Sequence, residues 1–196
     1  MPMVRVFSGS PPARRLLAFV LDYFVIAAYL IFLAAASLLI LATPLRPSFE
    51  SMWGNAWSAE LAGFFLLTSP VILYFALFES SAGGATLGKR ALHLRVVQLD
   101  GSRLGLGRSL LRSAVKFLPW EMAHFTIWHY VYGSARHANP PSWTTVTLTA
   151  VYLLALAYIV TLVIGRTHRT IYDRIAGSRV IVVEQTADLS TSRHDA

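Results

Sequence analysis

From Leu16 to Ala42 the chain runs through 27 residues whose only charge is Asp22. About 20 apolar residues suffice to cross the hydrocarbon core of a bilayer, so this run predicts a membrane helix with length to spare for tilt. Ser10 followed by Pro11 and Pro12 marks its start, because proline fits a first helical turn. Arg14 and Arg15 mark its headgroup flank. The run exceeds the 7–15 apolar residues of a secretory signal, which sets that reading aside. Two more runs, Leu61–Phe78 and Trp143–Ile164, read as spans, and Pro70 predicts a kink in the first of them. A fourth, Phe117–Tyr132, is interrupted by Pro119, Glu121, His124 and His129.

Charge decides that fourth segment. The chain has 17 Lys and Arg. If Phe117–Tyr132 crosses, three of them up to Arg15, seven from Lys89 to Lys116 and five from Arg166 onward share one side, against Arg46 and Arg136 on the other. Cytoplasmic loops collect Lys and Arg, so four spans with both termini cytoplasmic are expected. Only 14% of residues are charged and 55% are hydrophobic. Soluble chains carry roughly 25% charged residues. The deficit excludes an ordinary cytosolic enzyme and a disordered chain. The net charge of +7 invites a nucleic-acid reading, but the basic residues flank apolar runs and serve as topology signals. There is no cysteine, which excludes disulfides, thiolate catalysis and Cys-based metal sites.

Between the second and third apolar segments the pattern changes. Leu92-His93-Leu94-Arg95-Val96 alternates apolar and polar, and Asp100-Gly101 is a turn signal, so a small hairpin is expected over Leu92–Leu106. Ser178–Val183 reads as a strand, expected to pair with that hairpin and to bring Asp173 toward the base of the first helix. Residues 184–196 read as a disordered polar tail. The fold class expected is therefore an all-α membrane protein: a four-transmembrane-helix bundle with a small cytoplasmic β-hairpin/strand element. The membrane domain would cover residues 1–183, with spans about 16–42, 61–78, 117–132 and 143–164.

Several side chains could carry chemistry. Asp22 lies about 9 Å along its helix from Leu16, inside the hydrocarbon, where an unpaired charge costs several kcal/mol. It must pair, hydrogen-bond, face water or be protonated. Arg15, seven residues earlier on the same face, is the nearest candidate partner. The plain reading is a structural lock between helices, and the functional one is an ion or proton site. Glu121 and His124, three apart, share a helix face. They could join a metal site with ligands from other helices or a proton relay, or form a hydrogen-bonded patch beside the aromatics. Arg108, Arg112 and Lys116 recur every four residues, a stripe suited to anionic lipid headgroups. Gly83–Arg90, GGATLGKR, matches a phosphate-binding loop as far as its lysine. Arg90 then stands where Ser or Thr should hold Mg²⁺, and no soluble βα unit surrounds it, so the match is set aside as coincidence. Thr170-Ile171-Tyr172-Asp173 fits a capping box, with Gly177 as the helix stop.

Three stretches resemble the RDD family of bacterial multipass membrane proteins. They are RRLLAFVLDYFV (Arg14–Val25), GGATLGKRALHLRVVQLDGSRLGLGRSLLR (Gly83–Arg112) and RTHRTIYDRIAGSRVIVV (Arg166–Val183). The family's Arg and first Asp resemble Arg15 and Asp22, and its second Asp resembles Asp173. Tyr172 stands where the family usually has His, and the segment Phe117–Ile164 is longer than in small members. The resemblance implies residence in the bacterial cytoplasmic (inner) membrane and suggests transport of small ligands, with cation/proton exchange in some members.

The first functional expectation is an ion- or proton-coupled transporter. Asp22 would titrate, Arg15 would be its partner, and Glu121 and His124 would line the outer route. Four helices make a thin wall for a pathway, so a homo-oligomer is expected. The alternative is a non-catalytic protein that anchors or assembles a membrane complex. A third reading is a metal-dependent membrane enzyme using Glu121 and His124. No catalytic constellation, resident metal or cofactor is expected. The expected partners are membrane lipids and further membrane subunits rather than nucleic acid, and the sequence does not name a solute.

Overall fold

Pro11 and Pro12 open the first long helix, α1 (Pro12–Leu41), where the missing proline N–H groups cost nothing. The structure is a computed structural model, and it describes residues 10–136 and 141–183. The expected polar tail, 184–196, lies outside the described residues, as does most of the N-terminal arm. After Leu41 come a short helix, α2 (Arg46–Ser51), and the first turn of the next rod. Asn55 starts that rod with a capping box to Ser58. The rod is α3 (Ala56–Gly63), a π turn (Phe64–Thr68) and α4 (Ser69–Ser80). A single turn, α5 (Leu87–Ala91), and strand β1 (Leu94–Gln98) follow. Then come α6 (Leu106–Arg136), α7 (Trp143–Val163), the short α8 (Ile171–Ile175) and strand β2 (Ser178–Val182).

Three helices among the described residues are long and apolar enough to cross a membrane: Pro12–Leu41, Ala56–Ser80 and Trp143–Val163. The segment expected as a separate span, 117–132, is the distal half of the 31-residue α6, continuous with the residues that carry the Arg108, Arg112 and Lys116 stripe. Its proximal half is basic and its distal half carries Glu121, His124 and His129, which is why it falls outside the apolar set.

The expected hairpin over Leu92–Leu106 is reduced to a turn at Leu99–Ser102 and one bridge between Val97 and Arg103. The main partner of β1 is β2, antiparallel, with Leu94 opposite Val182 and Gln98 opposite Ser178. Arg103 sends its guanidinium to the Ser80 carbonyl at the end of α4, so the returning limb is used to tie the sheet to the bundle. Leu94, Val96, Leu104 and Val180 close over Ala18 of α1, fastening the two-stranded sheet to the base of the first helix. A second core, Ile26, Phe75 and Phe117, joins α1, α4 and α6 deeper in the bundle.

Two prolines interrupt these rods, and both are repaired in the same way. Proline gives no N–H to the carbonyl four residues before it, and in an apolar medium that carbonyl needs another donor. Pro70 frees Leu66, whose carbonyl receives the Tyr29 hydroxyl of α1 at 2.7 Å. Pro119 frees Val115, whose carbonyl receives the Tyr158 hydroxyl of α7 at 2.6 Å. The π turn lies just before Pro70, where the ladder widens and Ser69 N–H reaches back to Phe64. Tyr29→Phe and Tyr158→Phe are each expected to lower stability by about 1–3 kcal/mol, the cost of a buried orphan carbonyl. Tyr152→Phe, at an exposed position, should change nothing. Thermal unfolding in one detergent compares all three.

Candidate functional site

At the end of the bundle that carries the sheet, six ionised side chains from five helices form one buried chain. Asp173 is the centre. Thr170 caps α8 by accepting from Asp173 N–H, and the Asp173 carboxylate accepts in return from Thr170 N–H at 3.1 Å. That reciprocal box fixes the side chain. The same carboxylate takes Arg15 Nη2 of α1 at 2.5 Å on one oxygen. On the other oxygen it takes Arg112 of α6, through Nε at 2.9 Å and Nη2 at 2.7 Å. Arg112 reaches on to Glu79 of α4 at 2.5 Å. Glu79 holds Lys89 of α5 at 2.9 Å, and Lys89 stands 3.9 Å from Asp22. Asp22, Glu79 and Asp173 are fully buried. Three carboxylates face three cations, and each buried charge is paired, which is the condition for keeping it buried.

Arg15 and Asp22 were expected to pair with each other, and they do not. Arg15 turns to Asp173 and to the His168 carbonyl. His168 has a φ of 47°, a left-handed turn. Asp22 instead accepts from Tyr74 Oη at 2.9 Å, Thr86 Oγ1 at 2.6 Å and Gly88 N–H at 2.8 Å. The carboxylate of one helix thus serves as the cap of another, α5. That docking explains the motif dismissed as a phosphate loop. A Cβ on Gly88 would stand 2.2 Å from the Ala18 carbonyl, so only glycine lets α5 lie against α1, and Lys89 belongs to the ion-pair chain.

The lipid stripe is corrected at Arg112. Arg108 is exposed and bonds Gln98, but Arg112 is buried in the charge chain, and the Lys116 ammonium lies 3.4 Å from the centre of the Phe75 ring. The four-residue spacing did put the three on one face. Most of that face is covered by α4 and α8, which spacing cannot foretell.

Glu121 and His124 lie further along α6, away from the charge chain. Glu121 meets Glu60 of α3, a residue the sequence reading missed. His124 meets the Trp120 ring edge-on, with centroids 4.8 Å apart. Among the described residues no three His, Cys, Asp or Glu side chains converge as a metal-ligand set. Beyond them His129 sits among Trp57, Phe125 and Trp143. Glu79 also escaped the sequence reading, since a carboxylate at the border of an apolar run looks like an ordinary headgroup-level charge.

A cavity of about 440 Å³ adjoins the charge chain. Its walls come from α1 (Phe19, Ile26) and α7 (Ala155, Leu162), its back from Val71 and Phe117, and Lys116 lines its charged end. α1 packs mainly on α5, and α7 mainly on α6 and α8, which leaves a lateral cleft between them.

Burial by itself would raise the Asp173 carboxyl, but the Arg112 and Arg15 guanidinium groups reverse this and hold it well below the usual carboxylate range. A depressed folded value contributes stability that is fully present above the unfolded carboxylate value of about 3.9 and is lost as pH falls toward the folded one. The unfolding midpoint should therefore stay level from pH 7 to about 5 and drop below about 4. Asp173→Asn, which strands Arg112 and Arg15 beside a neutral group, should cost about 3–5 kcal/mol and flatten part of the acid limb. Thermal unfolding across pH reads both.

The model of the RDD family matches residues 10–177, which contain every member of the charge chain. No curated protein and no solved structure matches the chain.

Proposed function

The chain belongs to the RDD family, and we propose that it is a non-catalytic four-span protein of the bacterial inner membrane that takes a solute from within the bilayer through the cleft between α1 and α7. The cleft carries this reading. It is bounded by helices that are exposed along most of their length, its walls are apolar, and a cation marks one end. Pockets of roughly 300–1,000 Å³ with few, well-placed polar groups are typical ligand sites.

The fourth span is α6. Its 31 residues extend about 46 Å at 1.5 Å per residue, enough for the hydrocarbon and an interface at each end. Its polar side chains have protein neighbours: Glu121 meets Glu60, and His129 is enclosed by aromatic rings. Trp53, Trp57, Trp128 and Trp143 gather at the end remote from the charge chain, as tryptophans do at a membrane–water interface. Four crossings put the charge chain, the sheet and both termini on the cytoplasmic side, together with fifteen of the seventeen basic residues.

In this reading Asp22 is architectural. Both of its oxygens are occupied by donors from Tyr74, Thr86 and Gly88, and Lys89 balances its charge. A proton- or sodium-coupling role would need a carboxylate that can release those partners. A second reading, an anchor for a membrane complex, draws support from a hollow on the same side, lined by Leu99, Asp100, Arg108, Leu111, Arg174 and Ile175, where apolar side chains mix with charged ones.

Proteoliposomes holding a fluorescent phospholipid analogue test the proposal. The wild type should move the analogue between leaflets. Ala155→Trp, which fills the cleft, should abolish movement without lowering the unfolding midpoint. Equal movement with and without protein would sink the proposal. Proton or sodium flux that disappears in a folded Asp22→Asn would replace it with coupling through Asp22. A stoichiometric partner lost in Arg174→Glu, with no translocation, would favour the anchor.

A further inference from the structure

Lys116 is the one cation lining the cleft that has no carboxylate oxygen within 4.0 Å among the described residues. Arg15, Lys89 and Arg112, which also line it, are paired with Asp173, Glu79 and Asp22. The cluster thus holds four basic side chains against three carboxylates. The Lys116 ammonium rests on aromatic faces, 3.4 Å from the Phe75 centroid, 4.7 Å from Phe19 and 5.1 Å from Phe117. Aromatic faces offset part of the cost of removing an ammonium from water but supply no countercharge. The cleft side of the ammonium is where a countercharge can come from.

Two further observations describe that countercharge. The walls beyond Lys116 are Phe19, Ile26, Val71, Ala155 and Leu162, surfaces that a small hydrated anion would leave uncovered and an acyl chain would fill. Thr68 is 1% exposed, lines the same cleft, and its hydroxyl has no hydrogen-bond partner. A buried hydroxyl without a partner is costly, and an occupant carrying a polar group would satisfy it. The rim is open to the bilayer: Leu16 is 46% and Ile159 54% exposed. Lys116 also lies at the right level. It stacks on Phe19, about 6 Å deeper along α1 than Arg15, near the boundary between headgroups and hydrocarbon.

We propose that the occupant of the cleft is an anionic phospholipid of the cytoplasmic leaflet, its phosphate paired with Lys116 and one acyl chain laid along the α1–α7 walls. This rests on the reading of the cleft as the solute site and names the class of that solute. The other paired cations are committed to the charge chain, so Lys116 is the residue that selects a net negative headgroup over a zwitterionic one.

The test uses the purified full chain, stripped of lipid in detergent and examined by native mass spectrometry. Phosphatidylglycerol, phosphatidylcholine of the same chains, or inorganic phosphate is added back. The wild type should retain one phosphatidylglycerol with roughly five- to tenfold preference over phosphatidylcholine, the scale of one charge at a membrane interface. Lys116→Gln should bring the two lipids to parity. Lys116→Arg, which keeps the charge, should restore the preference and guards against a folding defect in the Gln variant. Ala155→Trp should lose both lipids. Equal retention of the two lipids by the wild type, an unchanged preference in folded Lys116→Gln, or binding of inorganic phosphate in place of the lipid would overturn the proposal. The leaflet assay separates the two readings. Lys116-dependent binding without translocation leaves this inference standing and removes transport. Translocation without a Lys116-dependent preference does the reverse.

Discussion

The Asp173 carboxylate holds the first helix, the third long helix and the C-terminal sheet in one place. α8 has five residues and could not persist alone, because a single helical turn does not repay its nucleation. Its capping box presents a carboxylate between Arg15 and Arg112, and each guanidinium then has its own further obligation. Arg112 needs Glu79, Glu79 needs Lys89, and Lys89 stands beside Asp22. A buried charge without its partner costs several kcal/mol, so each link constrains the next element. The position of five helices at the end of the bundle that carries the sheet follows from that requirement more than from apolar contact, which in lipid gives little preference for one helix face over another.

The cleft is the complement of this arrangement. α1 is tied at its base through Arg15, Ala18 and Asp22, and α7 is held by α6 and α8. Both helices meet α8 at the end that carries the charge chain, α1 through Arg15, and among the described residues they share few contacts along their length. The proline repairs shape the same space. Pro119 and Tyr158 line the cleft, and the hydroxyl that satisfies Val115 also fixes α7 against α6. Lys116 emerges one residue after the repaired carbonyl, on aromatic rings and toward the open side.

Much of the candidate site was legible as a set of residues and little of it as a set of pairs. Arg15, Asp22 and Asp173 stand out because charges inside or beside apolar runs are rare, and the capping box around Asp173 is a local pattern. Their pairing was misread because helical spacing relates only residues on one element. Arg15 and Asp22 share a face seven residues apart, yet Arg15 meets a carboxylate 158 positions away. Arg112 was placed on the correct face and given the wrong surroundings, since its partners are carboxylates of α4 and α8. Glu79, Glu60 and Lys89 lacked any local signal that set them apart from ordinary interfacial charges or a chance motif match.

The sequence by itself determined that this chain lives in a membrane, where three of its long helices run, that a small polar element interrupts them, and which charges sit too deep to be left unpaired. Hydropathy, proline positions and caps are properties of consecutive residues, and they are decided before any two elements meet. The tertiary structure alone decided which carboxylate answers which cation, that tyrosine hydroxyls from neighbouring helices repair Pro70 and Pro119, that β1 pairs with β2 across 80 residues, and that Lys116 is left facing a cleft. Those outcomes depend on which faces come together, and in a low-dielectric interior the pairing of charges and hydrogen bonds selects the faces.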